Sequence, residues 1–197
     1  SRNNWWLLAR TRPAMYDALG DITRFIATPR VAKHRLFVFV SSDTVPDSRI
    51  VVVASDDDYL FGVLHSRIHE VWSLATSSRH GVGNDPTYNA QSCFETFPFP
   101  WPPGQEPEDD PRVQVIAAAA AELVSKRDAW LNPPGLDEAQ LKKRTLTNLY
   151  NQRPTWLDLL HKRLDAAVAA AYGWPADLPD EEILARLLAL NLERAGI

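Results

Sequence analysis

The chain has 197 residues, 45% of them hydrophobic and 23% charged, with a formal net charge of −4. That is enough apolar residue for a buried core in one large domain or two small ones. It excludes a disordered or collagenous chain and argues against a uniformly basic nucleic-acid binder. No apolar run reaches membrane-spanning length, no secretory signal is apparent, and the single cysteine, Cys93, has no internal partner for a disulfide, so a cytoplasmic, reducing setting is expected.

The charge is unevenly placed. Arg2, Arg10, Arg12, Arg24, Arg30, Lys33 and Arg35 crowd the first 35 residues, opposed by Asp17 and Asp21. Acids gather after Gly104, at Glu106, Glu108, Asp109, Asp110 and Asp180–Glu182. Such a split would let a basic face meet phosphate on a protein that is acidic as a whole.

Taken in order, the chain opens with Trp5 and Trp6, an abrupt start that fits a piece cut from a longer protein. Pro13 to Leu19, closed by Gly20, reads as a short helix. Three β-rich segments follow, at 22–28, 35–41 and 50–55, and the Pro46-containing stretch 43–48 reads as the turn of an antiparallel hairpin or meander. From Tyr59 to Ala75, apolar residues recur at helical spacing after a capping Ser55 or Asp.

Thr76 to Tyr88 is polar and carries Gly81 and Gly83, which permit close backbone approach. Phe94 to Pro102 is an aromatic-proline run too apolar for a free linker, expected to pack across the domain. Segment 105–110 is acid- and proline-rich and reads as a boundary. Beyond it the pattern is helical: 111–131, 137–149, 155–172 and 180–194, with capping-box spacing at Asp137/Gln140 and at Thr155/Asp158. The expected fold is therefore α+β. A small, mostly antiparallel sheet with helices occupies 1–104, residues 105–110 link, and 111–197 form an all-α unit.

Motifs for catalysis are weak. His65 and His69 stand four apart, a spacing that can clamp a metal, but Ser66 stands where a metalloprotease has glutamate, and no third ligand is evident. Asn132-Pro133-Pro134-Gly135 resembles the Asn-Pro-Pro-aromatic loop of adenine methyltransferases, yet Gly135 replaces the aromatic and no glycine-rich cofactor loop precedes it; it reads as a helix stop. Cys93 reads as a small core residue rather than a thiol served by His80. No catalytic, cofactor-binding or metal-binding residue is expected in this chain. The Thr76–Tyr88 loop remains, with hydroxyls, a forked guanidinium, an imidazole and an amide. Arginine can bond guanine twice, and asparagine adenine twice.

The stretch SRIHEVWSLATSSRHGVGNDPTYNAQSCFETFPFP resembles the target-recognition region of MmeI-like DNA methyltransferases, the single-chain type IIG/IIL restriction–modification enzymes and their methylase-only relatives. ATPRVAKHRLFVFV is similar to that region's early strands, and 164–195, with Tyr172-Gly173-Trp174-Pro175, to the family's C-terminal helical domain. The resemblance implies a non-catalytic DNA-recognition fragment. The parent would carry an S-adenosylmethionine-dependent methyltransferase domain before residue 1, an adenine-N6 enzyme with or without an endonuclease. Double-stranded DNA and that domain of the same parent chain are the implied partners, with no membrane. DNA would be read by Ser77, Ser78, Arg79, His80, Asn84 and Tyr88, and its phosphates met by Arg30, Lys33 and Arg35. The alternative from a different class is a non-catalytic protein–protein interaction module that docks through the aromatic-proline run and acidic helices.

Overall fold

The computed structural model describes residues 17–20, 22–80 and 84–196. Trp5 and Trp6 lie outside them, as does most of the expected helix over 13–19, whose end at 17–19 is helical.

Strand β1 (Arg24–Pro29) is the centre of a three-stranded antiparallel sheet, flanked by β2 (Val38–Ser41) and β3 (Ile50–Val53). Phe25, Ile26, Ala27 and Thr28 are all buried, so both faces of this strand are covered, and a strand of that kind belongs in the middle. The expected turn between β2 and β3 is corrected: those strands do not pair. Segment 42–49 instead runs back along β1, tied at that strand's start by Ser42 N–H to Thr23 O (3.0 Å) and at its end by Arg30 N–H to Arg49 O (2.7 Å). It has to span the length of β1 as well as two strand spacings, roughly 9–10 Å, which a tight turn cannot do.

Period-two alternation sorts the side chains. Ile26, opposite Phe39 and Val53, faces the helices. Phe25 and Ala27, with Val38, Val40 and Val52, form a second cluster on the other face with Leu19.

The expected single helix over 59–75 is two. Helix α1 (Asp58–Leu64) is capped by Asp57, whose carboxylate accepts from Tyr59 N–H, and α2 (Arg67–Thr76) by Ser66, whose hydroxyl accepts from His69 N–H. Ser66 is extended, at φ −79° and ψ 156°, because its side chain caps the second helix instead of continuing the first.

Every residue of α1 from Tyr59 to Leu64 is buried between the sheet and α3 (Pro111–Leu131). Gly62 makes that approach possible. A Cβ built there would lie 2.7 Å from Ile116 Cγ2 and 3.2 Å from Ala120 Cβ. The alanine run of α3 therefore serves as contact surface, and α3 packs in turn on α6 (Thr155–Tyr172).

Among the described residues after 104, every regular element is a helix. The expected helix over 137–149 is also two, α4 (Glu138–Leu141) and α5 (Leu146–Gln152). The Asp137/Gln140 capping box forms, but Thr145 starts a new helix by accepting from Asn148 N–H (3.1 Å). The box expected at Thr155/Asp158 does not form. Pro154 holds the cap position, and Asp158 pairs with Arg153 and Lys162. Helix α7 (Asp180–Ala195) ends on Gly196 in the left-handed region.

One buried cluster runs from Ile26 through α1 and α3 to Leu187 on α7. The aromatic-proline run packs as expected. Phe97 and Phe99 are buried, and their neighbours' carbonyls accept from α6 and α7: Pro98 O from Tyr172, Thr96 O from Asn191 (2.6 Å) and Phe99 O from Arg194 (2.6 Å). No helix among the described residues is long and apolar enough to cross a membrane.

Gly62→Ala tests the close approach of α1 and α3. Alanine gains up to about 1 kcal/mol of helix propensity. Overpacking a filled interface costs about 1–3 kcal/mol. Ile116 is fully buried and its β-branched side chain is stiff, so overpacking should win and the urea midpoint should fall. A midpoint that rises would show the interface to be slack.

Candidate nucleic-acid interface

Helix α2 delivers the chain to the polar segment. Its last turn is closed by Thr76 and Ser77, whose hydroxyls donate to Trp72 O (2.9 Å) and Leu74 O (3.1 Å). The expected loop is in part a hairpin. Strand β4 (Arg79–His80) pairs antiparallel with β5 (Asp85–Pro86), Arg79 opposite Pro86 and His80 opposite Asp85. Thr87 closes its base, donating its N–H to Ser78 O (2.8 Å), with the two hydroxyls 2.8 Å apart. Asn84 takes a left-handed φ of 51°, which asparagine tolerates at a turn. Gly81 and Gly83, expected to allow close backbone approach, lie outside the described residues.

Ser78, Arg79, His80 and Asn84 are exposed and Ser77 is half-buried. Arg79 is exposed, and its guanidinium's one hydrogen bond among the described residues is a weak tie to Asn84 O at 3.3 Å. The basic segment lies beside this hairpin. Tyr88 N–H donates to Arg30 O (2.6 Å), and Val31 bridges Thr87 in antiparallel fashion. Arg30 is exposed and donates through Nε to Ser48 O (2.8 Å). Lys33 is exposed but turns to α5, where its ammonium donates to Asn151 Oδ1 (2.9 Å).

Two of the expected contact residues point inward. Tyr88 is 1% exposed, its hydroxyl 2.8 Å from His69 Nε2. Arg35 is 6% exposed and spends its fork on Thr28 Oγ1, Pro29 O and Pro86 O. A direct DNA contact by either is not available from these positions. The signal for Arg35 was in the sequence: it shares strand parity with Phe37 and Phe39, so it lies on the face turned to the core.

His65 and His69 are both buried and both committed to internal bonds. Phe37 N–H donates to His65 Nδ1 (3.1 Å), so the neutral ring carries its proton on Nε2 and donates it to Tyr150 Oη (3.1 Å). Tyr150 Oη then donates to His161 Nε2 (2.9 Å). Arg127, buried on α3, donates to Phe37 O (3.0 Å) beside this chain. Burial first, and then the neighbouring Arg127, hold His65 well below its usual pKa. Burial brings His161 down to about 4 and His69 to about 3, with Arg35 adding to the latter. All three are neutral at physiological pH. Cys93 is fully buried, with Ser73 O 3.7 Å from its sulfur, whereas His80 is on the surface.

A platform of sheet and helices thus carries a short hairpin with exposed donors, next to an exposed arginine. The chain is similar to known proteins.

Residues 19–101 match the family of MmeI target recognition domains.

The match covers the sheet, α1, α2, the hairpin and most of the aromatic-proline run. DNA methyltransferase A of Bacillus subtilis (strain 168) is 29% identical over 177 residues, covering 85% of this chain and 18% of that protein. A solved structure of the type IIL restriction–modification enzyme MmeI, in complex with DNA, superposes with a TM-score of 0.68 at 20% identity, over 89% of this chain and 22% of that one. At that identity the superposition speaks for the fold. The chain thus spans about a fifth of the length of each relative. The MmeI-like resemblance and the α+β class read from the sequence both stand.

The helices beyond 104 brace α2 directly. Asp165 on α6 accepts from Arg67 N–H (2.7 Å) in the first turn of α2, and Arg67 reaches Leu178 O and the carboxylate of Asp180. Burial raises Asp165 to about 6, from an ordinary 3.8. Between those values the folded state holds a proton that the unfolded chain has lost. Stability contributed here therefore falls as pH rises through that window, and the penalty is complete above pH 6. Asp165→Asn keeps an acceptor for Arg67 N–H and removes the charge. It should stabilise the protein at pH 8 by on the order of 1–3 kcal/mol, with the gain fading toward pH 4. Urea unfolding at both pH values checks this; an equal effect at both would mean that the buried charge is not the cause.

Proposed function

We propose that this chain is the target-recognition unit of a site-specific DNA methyltransferase of a restriction–modification system, and that it holds duplex DNA while another domain of the same parent does the chemistry. The observation that carries this is the exposed hairpin bearing Ser78, Arg79, His80 and Asn84, held by main-chain bonds against the segment of Arg30 on a rigid platform. The family match of residues 19–101 and the likeness to a DNA methyltransferase and to an enzyme solved with DNA support it.

In this reading Arg30 and Lys33 meet phosphates, which position the protein without carrying sequence information. Ser77, Ser78, Arg79, His80 and Asn84 reach base edges, and Arg79 is the residue suited to a forked bond with guanine. The parent's methyltransferase domain binds S-adenosylmethionine and methylates the amino nitrogen of an adenine turned out of the duplex. In this reading the cofactor pocket and the catalytic groups belong to that domain. The interaction-module alternative docks through the aromatic-proline run and the acidic helices, and in the run Phe97 and Phe99 are already buried against the chain's own helices.

The test compares Arg79→Ala and Arg30→Ala in the full-length protein, on the methylated site and on random duplex at two salt concentrations. Arg79→Ala should cost about 1–3 kcal/mol on the correct site and little on random DNA. Arg30→Ala should weaken both and reduce the salt slope by about 0.9. If Arg79→Ala weakens both duplexes equally, the hairpin is a phosphate clamp; if neither variant matters, this face does not meet DNA.

A further inference from the structure

The hairpin is too small to hold itself. Its strands are two residues each, and isolated two-stranded ribbons are marginal in water even when longer. One of its four strand residues, Pro86, has no N–H to give to a ladder. Pro29, at the end of the central strand, has none either. At these two points neither sheet nor hairpin can supply a main-chain N–H to join them.

Arg35 fills that gap. Its Nη1 donates to Thr28 Oγ1 (2.9 Å) and Pro29 O (2.5 Å), and its Nη2 to Pro86 O (3.1 Å). The guanidinium carbon lies 5.0 Å from the centre of the Tyr88 ring, so the residue leaving the hairpin packs on it as well. One planar fork therefore joins the end of β1 to β5. Resting on the DNA-recognition reading above, we propose that Arg35 is a positioning residue for target choice: it sets the hairpin's place beside Arg30 and touches no DNA itself.

Lysine at this position keeps the charge but offers a single point donor, which cannot bridge two carbonyls lying on different elements. In Arg35→Lys of the 197-residue chain, hydrogen exchange at the Thr87 and Tyr88 amides should quicken on the order of tenfold, while the β1–β2 ladder and α3 keep their protection. In the full-length protein, the same variant should lose on the order of tenfold in preference for the correct site over random duplex, with random-duplex affinity and its salt slope unchanged. A salt slope reduced by about 0.9 together with weaker random binding would make Arg35 a phosphate contact and overturn the proposal. Unchanged exchange at Thr87 and Tyr88 would overturn it too. So would protection lost throughout β1 and α3, since Arg35 would then be a general core residue. Arg35→Gln, uncharged and unable to reach both carbonyls, should repeat the lysine result; wild-type behaviour in that variant would count against the strut. The exchange arm uses no DNA. Faster exchange at the two amides, with no duplex preference even in the wild type, would sink the recognition reading while upholding the strut.

Discussion

A neutral imidazole at position 65 is the joint on which this structure turns. It sits where α1 stops and α2 starts, and it satisfies the free amide of Phe37 at the approach to β2. Through Tyr150 it is joined to α5, and through His161 to α6. Phe37 N–H, both nitrogens of His65, the Tyr150 hydroxyl and His161 Nε2 are joined in one run of hydrogen bonds, so the interior tolerates them without charge. Protonating His65 would place two donors where Phe37 N–H needs an acceptor, next to a buried Arg127. Burial and the arginine both oppose that, which keeps the series in one hydrogen-bonding direction.

That joint also decides where the surface elements point. Because the helix breaks at Ser66, α2 leaves at its own angle, and Asp165 and Asp180 fix its first turn from the helical side. Phe97 packs edge-on against His69, their ring centres 4.5 Å apart, and steadies the middle of α2. The hairpin then follows from a helix held at its start and along its length. Sheet, helices and aromatic-proline run share one apolar cluster, so a force on the hairpin is resisted by the whole interior.

Much of this was legible in the residues. Strand and helix types, the proline stops, the Asp137 cap and the packing of Phe97 and Phe99 follow from local patterns that the tertiary fold does not override. What stayed hidden was set by distant partners. The burial of α1 on the side away from the sheet comes from α3, more than forty-five residues further on, and Gly62 is what hinted at it. The break at His65–Ser66 keeps helical spacing on both sides and so looks like one helix. Thr155 and Asp158 have the right spacing for a capping box, but Pro154 takes the cap and two cations take the aspartate. At the site, the exposed donors at 78–80 and 84 could be read from composition. The inward turn of Arg35 and Tyr88 required strand parity and the knowledge that the chain doubles back beside Arg30.

The anchors of the hairpin are main-chain atoms: the carbonyls of Pro29, Arg30, Ser78 and Pro86 and the amides of Thr87 and Tyr88. Those atoms are present whatever side chains stand at 79 and 80, while 84 also needs a residue at ease with a left-handed φ. At 79 and 80 the frame is therefore indifferent to the letters written on it. A lineage, or a designer, can rewrite those two positions without rebuilding their support, and a change of chemical preference there need not carry a cost in folding.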